Sequence, residues 1–205
     1  MYRESYLILF LLGILILVAC EDKSTEPIEE KTNTLLPLAV GNTWNYKKYN
    51  QSSDSICIET WSILNKTSVD DKEYFLITIT GFGNGYLVAR SESNGFFLSG
   101  FDSTNGFSWP IFFKYPAEEN EIYQYQIPET DSILNIKVIK QNLVVNNHNY
   151  SCYGYIHLNG NPYFPFMYFA ENVGLIRQKL VYNSGHGIDT KIYFIYDLQS
   201  LSLTN

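Results

Sequence analysis

From residue 35 to the C-terminus the chain alternates apolar and polar side chains with a period of two. In residues 132–140, Leu134, Ile136 and Val138 alternate with Asn135 and Lys137, and in residues 191–198 the set Ile192, Phe194, Tyr196 and Leu198 shares one face. That spacing fits a half-buried strand, whereas a helix would bring apolar residues back every three or four positions. The same reading predicts strands over 43–49, 55–64, 73–80, 85–92, 96–101, 122–127, 150–158, 167–170 and 175–182. Turn signals stand between them: Asp70-Asp71, Ser93-Asn94-Gly95, Asn146-Asn147, Asn172-Val173-Gly174 and Ser184-Gly185. Connections this short favour antiparallel neighbours, because parallel pairs need long crossovers. No amphipathic helix is predicted in this region. The expected fold is all-β: one antiparallel meander of about eleven strands, curled into a half-barrel or barrel-like sheet so that few strand edges stay open.

The first residues follow a different pattern. Residues 6–19 form an apolar run of 14, broken only by Gly13, which is shorter than the roughly 20 residues a spanning helix needs. It fits a secretory signal core. The run ends in Leu17-Val18-Ala19-Cys20, which resembles the bacterial lipobox, and that resemblance implies cleavage after residue 19 and diacylation of Cys20. Two acyl chains anchor a protein stably, at about 0.8 kcal/mol per buried methylene, where one chain holds it only marginally. The expected organisation is a signal peptide over 1–19, a lipidated tether over 20–34 and a β-rich domain over 35–205.

Within the tether, Glu21, Asp22, Glu26, Glu29 and Glu30 face only Lys23 and Lys31, and Ile28 is almost the only apolar residue. Such a segment buries too little surface to offset its ordering entropy, so it reads as a flexible linker. Glu21-Asp22 directly after Cys20 resembles the acidic export signal of surface lipoproteins in the Bacteroidota. The expected address is the cell envelope, lipid-anchored to the outer membrane and facing the periplasm or the surface. Retention at the inner membrane is the competing reading. The chain carries net charge −7, from 14 basic and 21 acidic residues, with no basic stripe. Nucleic acid is excluded as a partner, since phosphate binding needs clustered Lys and Arg.

Candidate chemistry is sparse. His148, His157 and His186 are far apart, and zinc ligands usually stand closer. Gly81-Phe82-Gly83-Asn84-Gly85 lies between two strand patterns with no helix after it, so it reads as a hairpin connection and not a phosphate loop. Glu118-Glu119-Asn120-Glu121 lacks the calcium-loop spacing, and no serine sits in a nucleophile elbow. No catalytic residue, metal site or organic cofactor is assigned. Once Cys20 is acylated, Cys57 and Cys152 remain, either as a disulfide permitted by secretion or as two small apolar thiols. The 17 Tyr and 13 Phe include a strongly apolar run over 163–169. It reads as a buried strand or as an aromatic lip, and Trp109, Tyr163, Phe164 and Phe166 are the candidate ligand contacts.

A weak repeat runs through the domain. Pro37, Gly41, Asn42, Trp44 and Tyr46 align with Pro116, Asn120, Glu121, Tyr123 and Tyr125 at an offset of 79, and 69–74 aligns with 145–150 at an offset of 76. Two related halves would produce both, as would reuse of common turn chemistry. The segment Leu36-Pro37-Leu38-Ala39-Val40-Gly41-Asn42-Thr43-Trp44-Asn45-Tyr46 resembles the PLxVGNxWxY opening of a lipoprotein family of the Bacteroidota. Phe169-Ala170-Glu171-Asn172-Val173-Gly174-Leu175-Ile176-Arg177 resembles that family's later YAPGVGLVK segment, with Glu171 and Asn172 replacing Pro and Gly. The resemblance implies, more distantly, the curved half-barrels of lipoprotein carriers. Trp44 and Tyr46 read as same-face core aromatics. The expected function is a noncatalytic envelope module binding a lipid, a glycan or an envelope protein. An envelope hydrolase whose groups converge only in three dimensions is the alternative.

Overall fold

The structure is a computed structural model that describes residues 33–204, apart from 52, 81–85, 103–105, 129, 159–165 and 184–189. The expected signal peptide, Cys20 and most of the expected tether lie outside the described residues, and the compact unit runs from Asn33 to Asn205. Twelve strands form one antiparallel sheet: β1 (Thr43–Asn50), β2 (Ser55–Val69), β3 (Lys72–Ile79), β4 (Tyr86–Glu92), β5 (Gly95–Asp102), β6 (Gly106–Lys114), β7 (Ile122–Gln126), β8 (Ile133–Val145), β9 (His148–His157), β10 (Phe166–Ala170), β11 (Gly174–Asn183) and β12 (Thr190–Ser202). Their spatial order is β6-β5-β4-β3-β2-β1-β12-β11-β10-β9-β8-β7. The sequence therefore comprises two six-strand runs joined where β1 pairs with β12. No helix occurs among the described residues.

The strand the periodicity does not predict is β6. Its Pro110 has no N–H to give a ladder, so proline in a strand is confined to edges and bulges. Both conditions hold here. β6 ends the sheet, and its register with β5 slips so that Trp109 and Pro110 together stand opposite Ser99. A slip of the same kind explains why β2 runs beyond residue 64. Leu64 is an extra residue, 55% exposed, between the pairs Ile63↔Ile77 and Asn65↔Leu76, and it reverses the alternation at that point.

The sheet rolls until its two edges approach. Phe113 of β6 packs against Tyr155 of β9 and Phe169 of β10, and Phe96 of β5 also meets Phe169. No backbone ladder closes the gap between β6 and β7. Phenols fill it instead. Tyr123 of β7 donates its hydroxyl to the Phe112 carbonyl at 2.7 Å and accepts the Lys114 N–H at 3.4 Å, while Tyr155 donates to the Lys114 carbonyl at 2.7 Å. Lys114 also pairs with Glu121. Backbone groups on a free edge invite pairing with another chain. Here the hydroxyls occupy those of residues 112 and 114.

One end of the roll is plugged. Leu35 and Leu36 are 1% and 3% exposed and join the core, while the Asn172 N–H donates to the Thr34 carbonyl at 2.7 Å. The buried Asn42 clamps this segment to the C-terminus. Its amide donates to the Pro37 carbonyl, and its oxygen accepts from the N–H and hydroxyl of Thr204. The two segments that carry the family resemblance meet at this end. Trp44 Nε1 donates to the Val173 carbonyl at 2.7 Å, and the Tyr46 hydroxyl donates to the Leu175 carbonyl at 3.2 Å. Both aromatics are 1% exposed, as expected of core residues.

The two repeat stretches occupy equivalent places. Trp44 and Tyr46 lie on β1, the first strand of one run, and Tyr123 and Tyr125 lie on β7, the first strand of the other. The aligned turns Asp70-Asp71 and Asn146-Asn147 all have positive φ and close the β2–β3 and β8–β9 hairpins, the geometry that two-residue hairpins favour.

Candidate functional site

In an up-and-down sheet, all connections that follow odd-numbered strands lie at one end, opposite the plug. These are the connections after β1, β3, β5, β7, β9 and β11. Burial along the inner face falls toward that end on three adjacent strands. On β1 the inward residues run from Trp44 and Tyr46, each 1% exposed, to a half-buried Lys48. On β2 they run from Ile63 at 1% and Trp61 at 5% through Glu59 to an exposed Cys57. On β12 they run from Leu198 at 2% and Tyr196 at 8% to a half-buried Phe194. The inward-register residues of these three strands therefore meet solvent at the end away from the plug.

The residues at this opening are not all apolar. Lys48 stands directly across from Cys57 on one side and Tyr196 on the other. Its ammonium lies 2.6 Å from Glu59 Oε1, with side-chain exposures of 23% and 13%. It also sits over the Phe194 and Tyr196 rings, at 4.9 and 5.2 Å from their centroids. Burial pulls the Lys48 pKa down, but the hydrogen bonds it donates to Glu59 and Tyr196 outweigh it and hold the group above the usual lysine value. A lysine held charged is the opposite of the depressed lysine that base or Schiff-base chemistry requires. Burial raises the pKa of the Tyr196 hydroxyl, so it stays protonated. Below them the buried indole nitrogen of Trp61 has no hydrogen-bond partner, although its ring packs on Tyr46 at 5.1 Å. Gln178, 9% exposed, lies across from Tyr196 on β11.

The residues proposed from the sequence fare differently. Tyr163 and Phe164 lie outside the described residues, as does the Trp109 side chain; the Trp109 backbone is in β6 and not in a loop. Phe166 opens β10 at the same end as the opening. It is half-buried and shares the face of Tyr168, whereas Met167 and Phe169 point into the core. It packs against the core cluster. Cys57 and Cys152 are both free: the first is exposed on β2 and the second buried on β9, with β1, β12, β11 and β10 between them in the sheet. Burial pushes the Cys152 thiol up to about 12, which leaves it inert.

Among the described residues no three His, Cys, Asp or Glu side chains gather closely enough to hold a metal ion. His148 is exposed beside Tyr150, and burial lowers the pKa of His157. His186 lies outside the described residues.

Comparison with known proteins stops at distant likenesses in shape. A protein of Parabacteroides distasonis, provisionally described as a lipoprotein, aligns over 83% of this chain and 99% of its own, with a TM-score of 0.47 and 12% identity. An exported protein of Bacteroides fragilis, also provisionally described and said to have a YmcC-like fold, aligns over 83% of this chain and 100% of its own, with a TM-score of 0.45 and 12% identity. No family model and no curated protein matches the sequence.

The Lys48–Glu59 pair is what the sequence reading missed, and a signal for it exists. Strand alternation places Lys48 on the face of Trp44 and Tyr46, and Glu59 on the face of Trp61. Charged residues in an inward register call for a partner or a ligand.

Proposed function

We propose that the chain is a cell-envelope lipoprotein, acylated on Cys20 and tethered to the outer membrane, whose β domain binds a ligand noncatalytically at the open end of the sheet interior. The observation that supports the binding role is the fall in burial along the inner faces of β1, β2 and β12, ending at Lys48, Glu59, Tyr196 and Phe194. A concave site of aromatic walls with a few fixed polar groups is the usual construction of a ligand pocket. The lipobox resemblance at Leu17-Val18-Ala19-Cys20 supports the anchor.

Cys57 offers the test, because it is exposed at the opening while Cys152 is buried. A soluble thiol reagent should modify Cys57 in the folded protein, and an extract of the native envelope should slow that reaction. An extract that leaves the rate unchanged would reject the opening as a binding site. For the anchor, metabolic palmitate labelling should disappear in Cys20→Ala, and a variant that kept the label would reject acylation there.

A further inference from the structure

We infer that the ligand of this opening is a neutral, hydroxyl-rich molecule of the saccharide class, and neither a charged lipid nor a hydrocarbon chain. The inference rests on the proposed binding role and deepens it. It comes from how the charges at the opening are already committed. Lys48 and Glu59 form a close ion pair at 2.6 Å, so the pair has no net charge to offer. An anionic head must displace Glu59 from Lys48, and a cationic one must displace Lys48 from Glu59. Either exchange leaves a partly buried charge without its partner, and breaking such a pair costs more than making it returns.

A hydrocarbon tail fails for a different reason. It would strip water from the ion pair and from the Tyr196 hydroxyl without offering a hydrogen bond in return, and unsatisfied polar groups of this kind oppose burial. A polyol meets each demand. Its hydroxyls can donate to the remaining acceptor sites of Glu59 and accept from Lys48 and from Tyr196 without separating the pair. The half-buried Phe194 ring beside Lys48 adds apolar surface for the C–H groups of a sugar ring.

Modification of Cys57 by a soluble disulfide reagent reads out occupancy, since Cys57 is paired directly across from Lys48. The probes are cellotriose, maltotriose and triacetylchitotriose, set against laurate and dioleoylphosphatidylglycerol vesicles, with the full chain throughout. A saccharide at about ten times its Kd leaves about a tenth of the sites free, so labelling should slow about tenfold. Lys48→Met and Glu59→Gln should each abolish that protection while keeping the β-sheet circular dichroism. Protection by laurate or by the vesicles with none by any saccharide would overturn the inference and leave the binding role standing. No protection by any probe or by native envelope extract would remove both. Saccharide protection that survived in both variants would also overturn it, because the ion pair would then not be the recognising group.

Discussion

Replacing Gly174 with Ala tests the junction between the two separated segments at the plugged end. Gly174 has φ +106°, a region that side chains other than glycine's rarely adopt, and an added Cβ would lie 2.9 Å from Trp44 Nε1 and 3.3 Å from its Cε2. Backbone strain of this kind costs about 1–3 kcal/mol. The indole must also withdraw from the Val173 carbonyl it now reaches at 2.7 Å, for a further loss of about 0.5–1.5 kcal/mol. The sum is about 2–4 kcal/mol, which for a domain of this size lowers Tm by roughly 5–15 °C. Gly41→Ala is the control. Its φ of +95° carries similar strain, but its Cβ would meet only the Thr204 Cγ2 methyl at 2.9 Å, so relief costs the hydroxyl bonds of an exposed threonine near the C-terminus and leaves the buried indole in place. Urea denaturation of both variants, of Trp44→Phe and of Trp44→Phe/Gly174→Ala gives the coupling between the indole and the glycine, expected at about 0.5–3 kcal/mol. Equal destabilisation by Gly174→Ala and Gly41→Ala, or zero coupling to Trp44, would refute the reasoning.

Three further outcomes follow from the structure. Tyr123→Phe removes the hydroxyl that serves Phe112 and Lys114, so it should cost about 1–3 kcal/mol and speed hydrogen exchange at the Lys114 amide; unchanged exchange there would mean that the phenol does not hold the edge. In native protein a thiol reagent should modify Cys57 and reach Cys152 only on unfolding, and peptide mapping that finds Cys152 labelled under native conditions would contradict its burial. Glu121 has its pKa lowered chiefly by the hydrogen bond from Lys114, so its stabilising contribution is present above the unfolded carboxyl value, about 4.3, and is lost as pH falls through the folded value. Glu121→Gln should therefore flatten the acid limb of the stability curve below about pH 4, and an unaltered limb would show that the pair adds nothing.

Local alternation was enough to read the all-β class, the antiparallel order and most strand positions, because Leu134, Ile136 and Val138 recur on one face of β8 and Phe194, Tyr196 and Leu198 on one face of β12. The reading failed where the backbone leaves its period. Pro110 sits in a bulge on an edge strand, and Leu64 is the extra residue of another, so neither segment shows a clean two-residue repeat. The opening was hidden for another reason. Lys48 and Glu59 are adjacent only because β1 and β2 pair in a particular register, and register depends on turn geometry and on the whole buried face. The interlock of Trp44 with Val173 spans 129 positions, a separation that no local pattern encodes.

The phenolic closure between β6 and β7 bears on how the roll responds to load. In a barrel closed by a ladder, the girth is set by strand number and shear, and it can change only by breaking a row of backbone hydrogen bonds. Here the last gap is spanned by the Tyr123 and Tyr155 hydroxyls and the Lys114–Glu121 pair. Side-chain torsions are softer than a ladder, so the circumference has a compliant joint at one place and stiff walls elsewhere. Dilation then needs the loss of a few side-chain hydrogen bonds, each worth about 0.5–1.5 kcal/mol net, and the parting of the Phe113, Tyr155 and Phe169 rings packed across the same seam, while every strand keeps its register.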